Sequence, residues 1–152
     1  MDPAKAKDIH FDPRVVTIER GRLRFFAQAI GETDPIYSDV DVAKQAGHAD
    51  LPVPPTFFFS MELESPDAFG YLSELDIDLR RVLHGEQSFT YHSMAYAGET
   101  LTLRPRIVDA YSKKGGTLDF IVKRTNIERA DGAPVADATS VIIARGNRKD
   151  AR

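Results

Sequence analysis

The sequence contains no cysteine, no long apolar run and no strong excess of one charge. The lack of cysteine excludes disulfide bonds, thiolate zinc sites and a cysteine nucleophile, and it is typical of a reducing compartment. A net charge of −3 gives no indication of a nucleic-acid or anionic-membrane partner. No apolar run approaches the roughly 20 residues that span a bilayer, and the first residues lack the apolar core of a signal peptide. We therefore expect a soluble cytoplasmic protein.

Length and hydrophobic content set the expected number of domains. With 152 residues, 42% of them hydrophobic, the chain can bury one core and is too short for us to expect two. The first ten residues are mostly polar, and the last six are mostly charged. We expect a loose N-terminus over residues 1–10, a single domain over 11–146 and a disordered tail over 147–152.

Two short helices are predicted in the most informative stretch, Gly21–Thr56. The first helix has an apolar stripe with the i, i+3, i+4, i+7 spacing, made of Leu23, Phe26, Ala27 and Ile30. Gly31 follows where a left-handed C-cap is favoured. Ser38 or Asp39 is predicted to cap the second helix, which ends before Gly47.

A polar turn between these helices brings two acids and a phenol together in the sequence. Pro35 disfavours the helical conformation at Asp34, so the chain leaves the helix axis here. The turn then presents Glu32, Asp34 and Tyr37 on a rigid loop. The later run Leu-Pro-Val-Pro-Pro-Thr at 51–56 cannot be helical and is stiff before folding. Together these stiff segments are suited to form one wall of a pocket.

The rest of the chain predicts a sheet and a segment that covers it. Phe57–Leu63 is the most apolar segment, and its three consecutive phenylalanines cannot share one face, so we expect protein on most sides of it. A short strand is expected at residues 15–18. Alternating segments at 83–91, 100–109, 118–123 and 135–143 are separated by glycine-containing turns. They predict an antiparallel meander of four long strands with one apolar face, which Phe57–Leu63 covers.

Three motifs, in their order along the chain, resemble a known family. They are Gly-Glu-Thr-Asp-Pro-Ile-Tyr-Ser-Asp at 31–39, Pro-Pro-Thr-Phe at 54–57 and Leu-His-Gly-Glu-Gln at 83–87. This arrangement resembles the MaoC-like hydratases of the hot-dog fold, and it is most similar to their N-terminal, FAS1-type dehydratase half, over about residues 10–146. The resemblance implies an α+β fold in which an antiparallel sheet wraps around a central helix.

The resemblance also implies acyl-thioester chemistry that needs no cofactor. Members of the family add water to, or remove it from, the double bond of a 2-enoyl thioester on coenzyme A or an acyl carrier protein. Their pattern is Gly-Asp-x-Asn-Pro-x-His-x-Asp, in which the first Asp and the His hold the water and shuttle its protons. Here Glu32 aligns with that Asp and Tyr37 with that His, so both catalytic positions differ from the pattern.

These two differences change the chemistry that the loop can perform. Glu32 can still act as a base, but its extra methylene moves its oxygens by roughly an ångström, and such displacements cost on the order of 100-fold in rate. Tyrosine has an unperturbed pKa of about 10 and histidine one of about 6.5, so Tyr37 donates hydrogen bonds well but shuttles protons poorly at neutral pH. In two-domain relatives and mycobacterial heterodimers, the half with this version resembles a substrate-binding partner of the half with Asp and His.

The candidate site residues follow from these motifs. The candidate catalytic residues are Glu32, Tyr37 and His84, and the candidate substrate-binding residues are Asp34, Pro55, Thr56, Phe57 and Gly85. Structural interpretations remain open: Glu32 as a solvated acid, Asp34 as a turn former, and Tyr37 as a packed aromatic. The other histidines, His10, His48 and His92, are unassigned. The four histidines lack the close spacing of a metal site, so no metal is expected.

The resemblance implies a dimer with acyl pockets at the junction, and three functions remain open. In the first, which we favour, the chain binds an acyl-CoA or acyl-ACP in fatty acid metabolism, and a separate subunit supplies Asp and His. In the second, it is a self-sufficient homodimeric hydratase that uses Glu32 with Tyr37 or His84. In the third, it is a non-catalytic acyl-CoA binder or a thioesterase-like protein.

Overall fold

The computed structural model describes residues 1–146, and the tail that we expected to be disordered lies outside them. The helices are α1 (Pro3–Lys7), α2 (Arg20–Ala29), α3 (Val40–Gln45), α4 (Phe57–Leu63) and α5 (Gly70–Glu74), with 3-10 turns at Pro35–Tyr37 and Leu79–Arg81. The strands are β1 (Arg14–Thr17), β2 (Val82–Tyr91), β3 (Thr100–Lys113), β4 (Leu118–Glu128) and β5 (Pro134–Arg145). Within the described range, no helix has both the length and the apolar character needed to cross a membrane.

The five strands form one antiparallel sheet in the order β1-β3-β4-β5-β2. Its centre is the predicted meander of β3, β4 and β5, which are joined by short turns. The first of these turns needs left-handed backbone at Gly115 and Gly116, which have φ values of 63° and 84°. The short strand β1 pairs with β3 at one edge, and β2 pairs with β5 at the other.

The predicted hairpin between β2 and β3 is wrong. These strands lie on opposite sides of the β4–β5 pair, and residues 92–99 cross between them. The backbone of this crossing finds its partners elsewhere: the Ala97 N–H donates to the Leu51 carbonyl at 2.9 Å, and the Gly98 N–H donates to the Ile18 carbonyl at 2.7 Å. Because these partners are distant in sequence, the local glycine signal could not distinguish a crossing from a hairpin.

Helix α4 is the central helix that the predicted fold requires. Phe57, Phe58 and Met61 belong to one apolar cluster with Leu101 of β3 and Ile127 of β4. Phe57 and Phe58 are each only 3% exposed, so this part of the phenylalanine segment is enclosed by protein as predicted. Burial of apolar surface stabilises a fold by roughly 25 cal/mol per Å², and aromatic side chains bury large apolar areas. This contact therefore holds α4 against the sheet.

A second apolar cluster covers the other end of the same sheet face. It joins Tyr71 and Leu72 of α5 to Ile107 of β3, Ile121 of β4 and Ile142 of β5. The buried face of the sheet is therefore divided between two clusters, one under α2 and α4 and the other under α1 and α5.

A polar row crosses the sheet between the two clusters. Lys123 of β4 lies opposite Ser140 of β5, and Ser140 lies opposite Gln87 of β2. One face of α4 spans this row, because its Glu62 forms an ion pair with Lys123 and its Phe59 stacks on the ring of His84. We call Lys123, Ser140 and Gln87 the polar row.

The two predicted short helices are present and end as expected. Gly31 follows α2 with a φ of 73°, and Gly47 follows α3 with a φ of 93°, so both terminate in left-handed backbone. The Asp39 carboxylate caps α3 by accepting hydrogen bonds from the backbone N–H groups of Asp41 and Val42. These caps fix the two ends of the acidic loop.

The N-terminus differs from the expected loose segment over residues 1–10. The Asp2 carboxylate caps the first N–H groups of α1, with Pro3 at the first helical position. Ala6 is fully buried, and the Lys7 ammonium lies 2.9 Å from the Asp109 carboxylate on β3. These contacts join residues about a hundred positions apart, so the local composition could not reveal them.

A β-bulge at Gly85 explains an error in the predicted strand pattern. His84 and Glu86 pair with successive residues of β5, so Gly85 has no partner of its own. The extra residue shifts the alternation by one. Leu83 therefore faces the outer side of the sheet, whereas Phe89, which we had placed on the same face, lies on the buried side.

We predict that Gly85→Ala destabilises the fold by about 1 kcal/mol. A Cβ at this position would lie 2.7 Å from Cδ1 of Ile143 and 3.2 Å from the Val141 carbonyl oxygen, and only the isoleucine end can move. Urea denaturation measures the effect. The matched control is Gly21→Ala in α2, where a Cβ meets nothing within 4 Å. Gly21→Ala should raise the free energy of unfolding by up to about 1 kcal/mol, because alanine favours the helix. Equal effects of the two substitutions would contradict the prediction.

Candidate functional site

The acidic loop between α2 and α3 is held by its own carboxylates. The backbone N–H of Glu32 donates to the Ala27 carbonyl at 2.9 Å, which places the loop at the end of α2. One Glu32 carboxylate oxygen accepts a hydrogen bond from the Asp34 N–H at 2.9 Å, and the Asp34 carboxylate accepts one from the Ile36 N–H at 3.1 Å. Both acids are exposed. Their side chains therefore stabilise the turn, whatever further role they have.

Tyr37 lies at the end of this loop, half-buried beside the two acids. Burial raises the pKa of its phenol above the ordinary value of 10, and the negative charges of Glu32 and Asp34 raise it further. Tyr37 is therefore protonated at neutral pH. Within residues 1–146 its hydroxyl has no hydrogen-bond partner, so the phenol is a free hydrogen-bond donor at the loop.

The proline-stiffened run connects this loop to α4 and to β2. The carbonyl oxygen of Pro55 accepts a hydrogen bond from the Tyr91 hydroxyl at 3.0 Å. Thr56 is exposed at the N-cap position of α4 and makes no side-chain cap. Phe57 lies in the core, where its ring meets that of Phe26 edge-on at 5.3 Å. The substrate-binding roles of Pro55, Thr56 and Phe57 stay predictions.

His84 lies on the buried face of β2, at the unpaired edge of the sheet. Its ring stacks on Phe59 of α4, with centroids 4.9 Å apart and planes 4° from parallel. Its Nε2 lies 3.2 Å from the Gln87 amide oxygen, which also accepts a hydrogen bond from the Ser140 hydroxyl at 2.6 Å. An amide oxygen only accepts, so Nε2 is the donor in this hydrogen bond. The Gly85 bulge directly follows His84 in β2.

The structure thus forms two groups from the predicted site residues. Glu32, Asp34 and Tyr37 form one group, and His84 with Gly85 lies in the other. In the described part of the chain, no hydrogen bond, ion pair or ring contact joins the two groups directly. They meet through the core: Ile36 of the loop and Phe89 of β2 pack against the same apolar cluster.

Two further residues of the second group, Phe59 and Gln87, were not predicted as site residues from the sequence. Phe59 was noted only as part of the phenylalanine segment, and Gln87 only as part of a motif. A helical spacing of three from Phe59 to Glu62 was a usable signal that these two side chains share a face of α4. Ser140 gave no signal, because its contact with Gln87 depends on the pairing of β2 with β5.

The other three histidines each have a side-chain partner, and that of His10 is Asp12 at 3.3 Å. His92 Nε2 lies 3.0 Å from the Asp137 carboxylate, and His48 Nδ1 lies 3.4 Å from the Tyr96 hydroxyl. Burial alone would raise the pKa of Asp137, but hydrogen bonds from His92 and Asn126 hold it below its ordinary value. Over residues 1–146, no group of three or more His, Asp or Glu side chains is arranged to hold a metal ion.

An antiparallel sheet packed on a central helix, with a stiff acidic loop ahead of that helix, defines a hot-dog protein of the hydratase and dehydratase class. The chain belongs to the family described as the FAS1-like, dehydratase domain region, whose model matches residues 6–138. This match confirms the predicted membership in the dehydratase half of the MaoC-like hot-dog proteins. A relative from Saccharopolyspora erythraea, named UPF0336 protein, is 35% identical over 133 residues, which cover 88% of this chain and 84% of the relative.

Solved structures confirm the fold. The HadBC (3R-hydroxyacyl-ACP dehydratase) complex from Mycobacterium tuberculosis contains a chain that superposes with a TM-score of 0.76 at 22% identity, covering 91% of this chain and 99% of that one. A MaoC-like dehydratase superposes with a TM-score of 0.79 at 18% identity, and the match covers 93% of this chain but only 43% of the other. At these identities the likeness establishes the hot-dog architecture alone.

We predict that Glu32→Gln lowers the pKa of the Tyr37 phenol. The substitution removes one of the two nearby negative charges that disfavour the phenolate, while the burial of the ring is unchanged. The titration can be followed by NMR on protein with labelled tyrosine ring carbons, with the Tyr37 signal assigned from Tyr37→Phe. Asp41→Asn, on the exposed side of α3, is the matched control and should leave the titration unaltered. An unchanged Tyr37 pKa in Glu32→Gln would show that the two groups do not interact.

Proposed function

We propose that the chain is the acyl-thioester-binding subunit of a hydratase or dehydratase, and that a partner subunit supplies the Asp and His that move the protons. The observation that carries this proposal is the state of the acidic loop. Glu32 and Tyr37 occupy the two catalytic positions of the family pattern, and the Glu32 carboxylate is engaged with the loop backbone at 2.9 Å. A base held in this way, beside a phenol, lacks the usual proton-shuttling pair.

The chemistry of Tyr37 supports binding rather than proton transfer. Hydration of an enoyl thioester needs a base for the water, an acid for the α-carbon and a donor for the thioester oxygen. Burial and two carboxylates raise the pKa of Tyr37, so at pH 7 the phenol holds its proton and can only donate a hydrogen bond usefully. We propose that Tyr37 serves as a hydrogen-bond donor to the thioester or its carrier.

The edge strand β2 supports a partner subunit. Leu83 and Tyr91 of β2, and Met94 just after it, are about half exposed. An exposed sheet edge with apolar side chains favours pairing with another chain. The similar HadBC structure is a complex of a 3R-hydroxyacyl-ACP dehydratase. We propose that this chain pairs along β2 with a second hot-dog subunit.

The surface next to that edge supports an acyl ligand. Phe59 stacks on His84, and further along the same face of β2 the rings of Phe89 and Tyr91 stack on each other at 5.8 Å. Such a wall, with a few polar groups, is typical of a pocket for an apolar ligand. We propose that the ligand is an acyl-CoA or acyl-ACP of cytoplasmic fatty acid metabolism.

A self-sufficient homodimeric hydratase is the second candidate, and the environment of His84 favours it. Gln87 and Phe59 hold the His84 ring in place, and a fixed imidazole is suited to act as a general base. Assays on crotonyl-CoA separate the candidates. Turnover by the purified chain alone favours the homodimer, and thioester hydrolysis without hydration favours a thioesterase-like protein.

We predict that Glu32→Gln changes kcat by less than about tenfold when the chain is co-expressed with a subunit carrying the Gly-Asp-x-Asn-Pro-x-His-x-Asp pattern. In this assembly Glu32 shapes the loop and does not take the proton, so KM is the parameter expected to rise. The corresponding Asp→Asn substitution, at the first Asp of the partner's pattern, should lower kcat by about 100-fold or more. Steady-state hydration of crotonyl-CoA measures both. A loss of about 100-fold from Glu32→Gln would assign the base to this chain.

We predict that Leu83→Lys prevents assembly along β2. The substitution places a charge on the apolar edge, and it should convert the assembly to monomers in analytical ultracentrifugation. Val15→Lys is the matched control, because Val15 is an exposed aliphatic residue, 70% accessible, on β1 at the opposite edge of the sheet. It should leave the assembly intact. Dissociation by both substitutions, or by Val15→Lys alone, would place the interface elsewhere.

A further inference from the structure

A cavity of about 370 Å³ lies at the C-terminal end of α4, away from the candidate site. Its walls come from α4, α5, the segment before β1 and the buried faces of β3 and β4. None of Glu32, Tyr37 and His84 lines it. The volume exceeds that of a single bridging water, roughly 30 Å³, by about an order of magnitude. The cavity is therefore large enough for a small organic molecule.

Two buried side chains in the wall have polar atoms without a partner. Glu62 has a side chain that is only 4% exposed, and its Oε2 lies 2.6 Å from the Lys123 ammonium. Its Oε1 has no hydrogen-bond partner among residues 1–146, and neither does the hydroxyl of Thr125, a residue that is 0% exposed. Buried polar atoms in native proteins are almost always paired with protein, water or a bound group. The Glu62 oxygen only accepts and the Thr125 hydroxyl can both donate and accept, so a hydrogen-bond donor would satisfy both atoms.

The charges of the wall favour a cation. Its carboxylates are Asp12, Glu62, Asp67 and Glu74, against the permanent cations Arg14 and Lys123. Both cations are already engaged. Arg14 donates to the carbonyl oxygens of Met61 and Glu62 at 3.2 and 3.3 Å, which closes the end of α4, and Lys123 pairs with Glu62. The remaining negative charge raises the local concentration of cations.

The same wall has an apolar and aromatic part. The rings of Phe11 and Tyr71 lie 5.5 Å apart at 59°, and Leu103 and Pro105 of β3 line the cavity beside them. The Lys123 ammonium already lies over the Tyr71 ring, 5.8 Å from its centroid, so these rings are suited to the alkyl part of an amine. A ligand with a donor at one end and a short hydrocarbon body matches both parts of the wall.

We propose that this cavity binds a small primary ammonium, which donates hydrogen bonds to Oε1 of Glu62 and to the Thr125 hydroxyl, while its alkyl part packs against Phe11 and Tyr71. The site is independent of the proposed acyl-thioester function. Its ligand is defined by a positive charge, at least two N–H donors and a body of a few carbon atoms.

Isothermal titration calorimetry with n-butylammonium, n-butanol and butyrate tests the proposal on the full chain. These probes share a four-carbon body and differ in charge. Butylammonium should bind saturably, and both other probes should bind at least about tenfold more weakly, because a hydrogen bond to a charged group contributes more than a neutral one. Thr125→Val removes the hydroxyl at nearly constant volume and should weaken the binding of butylammonium by about tenfold.

Two further variants complete the test. Glu62→Gln should also weaken butylammonium by at least about tenfold, and it keeps a side chain that can still meet Lys123. Asp12→Asn, at the exposed rim, removes a charge and leaves Glu62 and Thr125 unchanged. It should weaken butylammonium binding by less than about threefold. Amide NMR spectra confirm that each variant is folded. Absence of butylammonium binding, equal binding of the three probes, or unchanged binding in Thr125→Val would overturn the proposal and leave ordered water alone as the partner of these atoms.

Discussion

The packing of α4 across the buried face of the sheet is the contact on which the rest of the structure depends. Phe57, Phe58 and Met61 fasten one side of the helix to the larger apolar cluster. The other side lies over the polar row: Glu62 pairs with Lys123 at one end, and Phe59 stacks on His84 beside Gln87 at the other. The stiff run before α4 is in turn held by the Tyr91 hydroxyl at Pro55. The position of α4 therefore sets the geometry of both candidate sites.

Most of the fold could be predicted from the sequence because its signals are local. Alternation, glycine turns and caps such as Asp39 depend on neighbouring residues, and they predicted the strands and helices well. Two features could not be predicted in this way. The order of the strands depends on which distant backbone groups pair, as at residues 92–99. The side on which Leu83 lies depends on a bulge, which requires knowledge of the Ile143 side chain next to Gly85.

The candidate site was predicted only in part, for a related physical reason. The residues of the acidic loop are close in sequence, so their proximity in the structure was expected, and their hydrogen bonds follow ordinary turn chemistry. The surroundings of His84 were not predicted, because Phe59, Gln87 and Ser140 come from three different elements. A motif can identify a residue, but the pKa, tautomer and burial of that residue depend on such distant neighbours.

The polar row includes a lysine that is paired with a buried carboxylate, and its position relates it to both candidate sites. A buried ion pair such as Glu62–Lys123 can often be replaced by apolar side chains with no loss of stability, so the row is weak evidence of a stabilising role. Its two ends lie at the two candidate sites: Gln87 contacts His84 at the edge of the sheet, and Lys123 lines the cavity together with Thr125. Two apolar clusters pack the sheet face on either side of the row, and the row's place between the two candidate sites supports the proposed binding of ligands there.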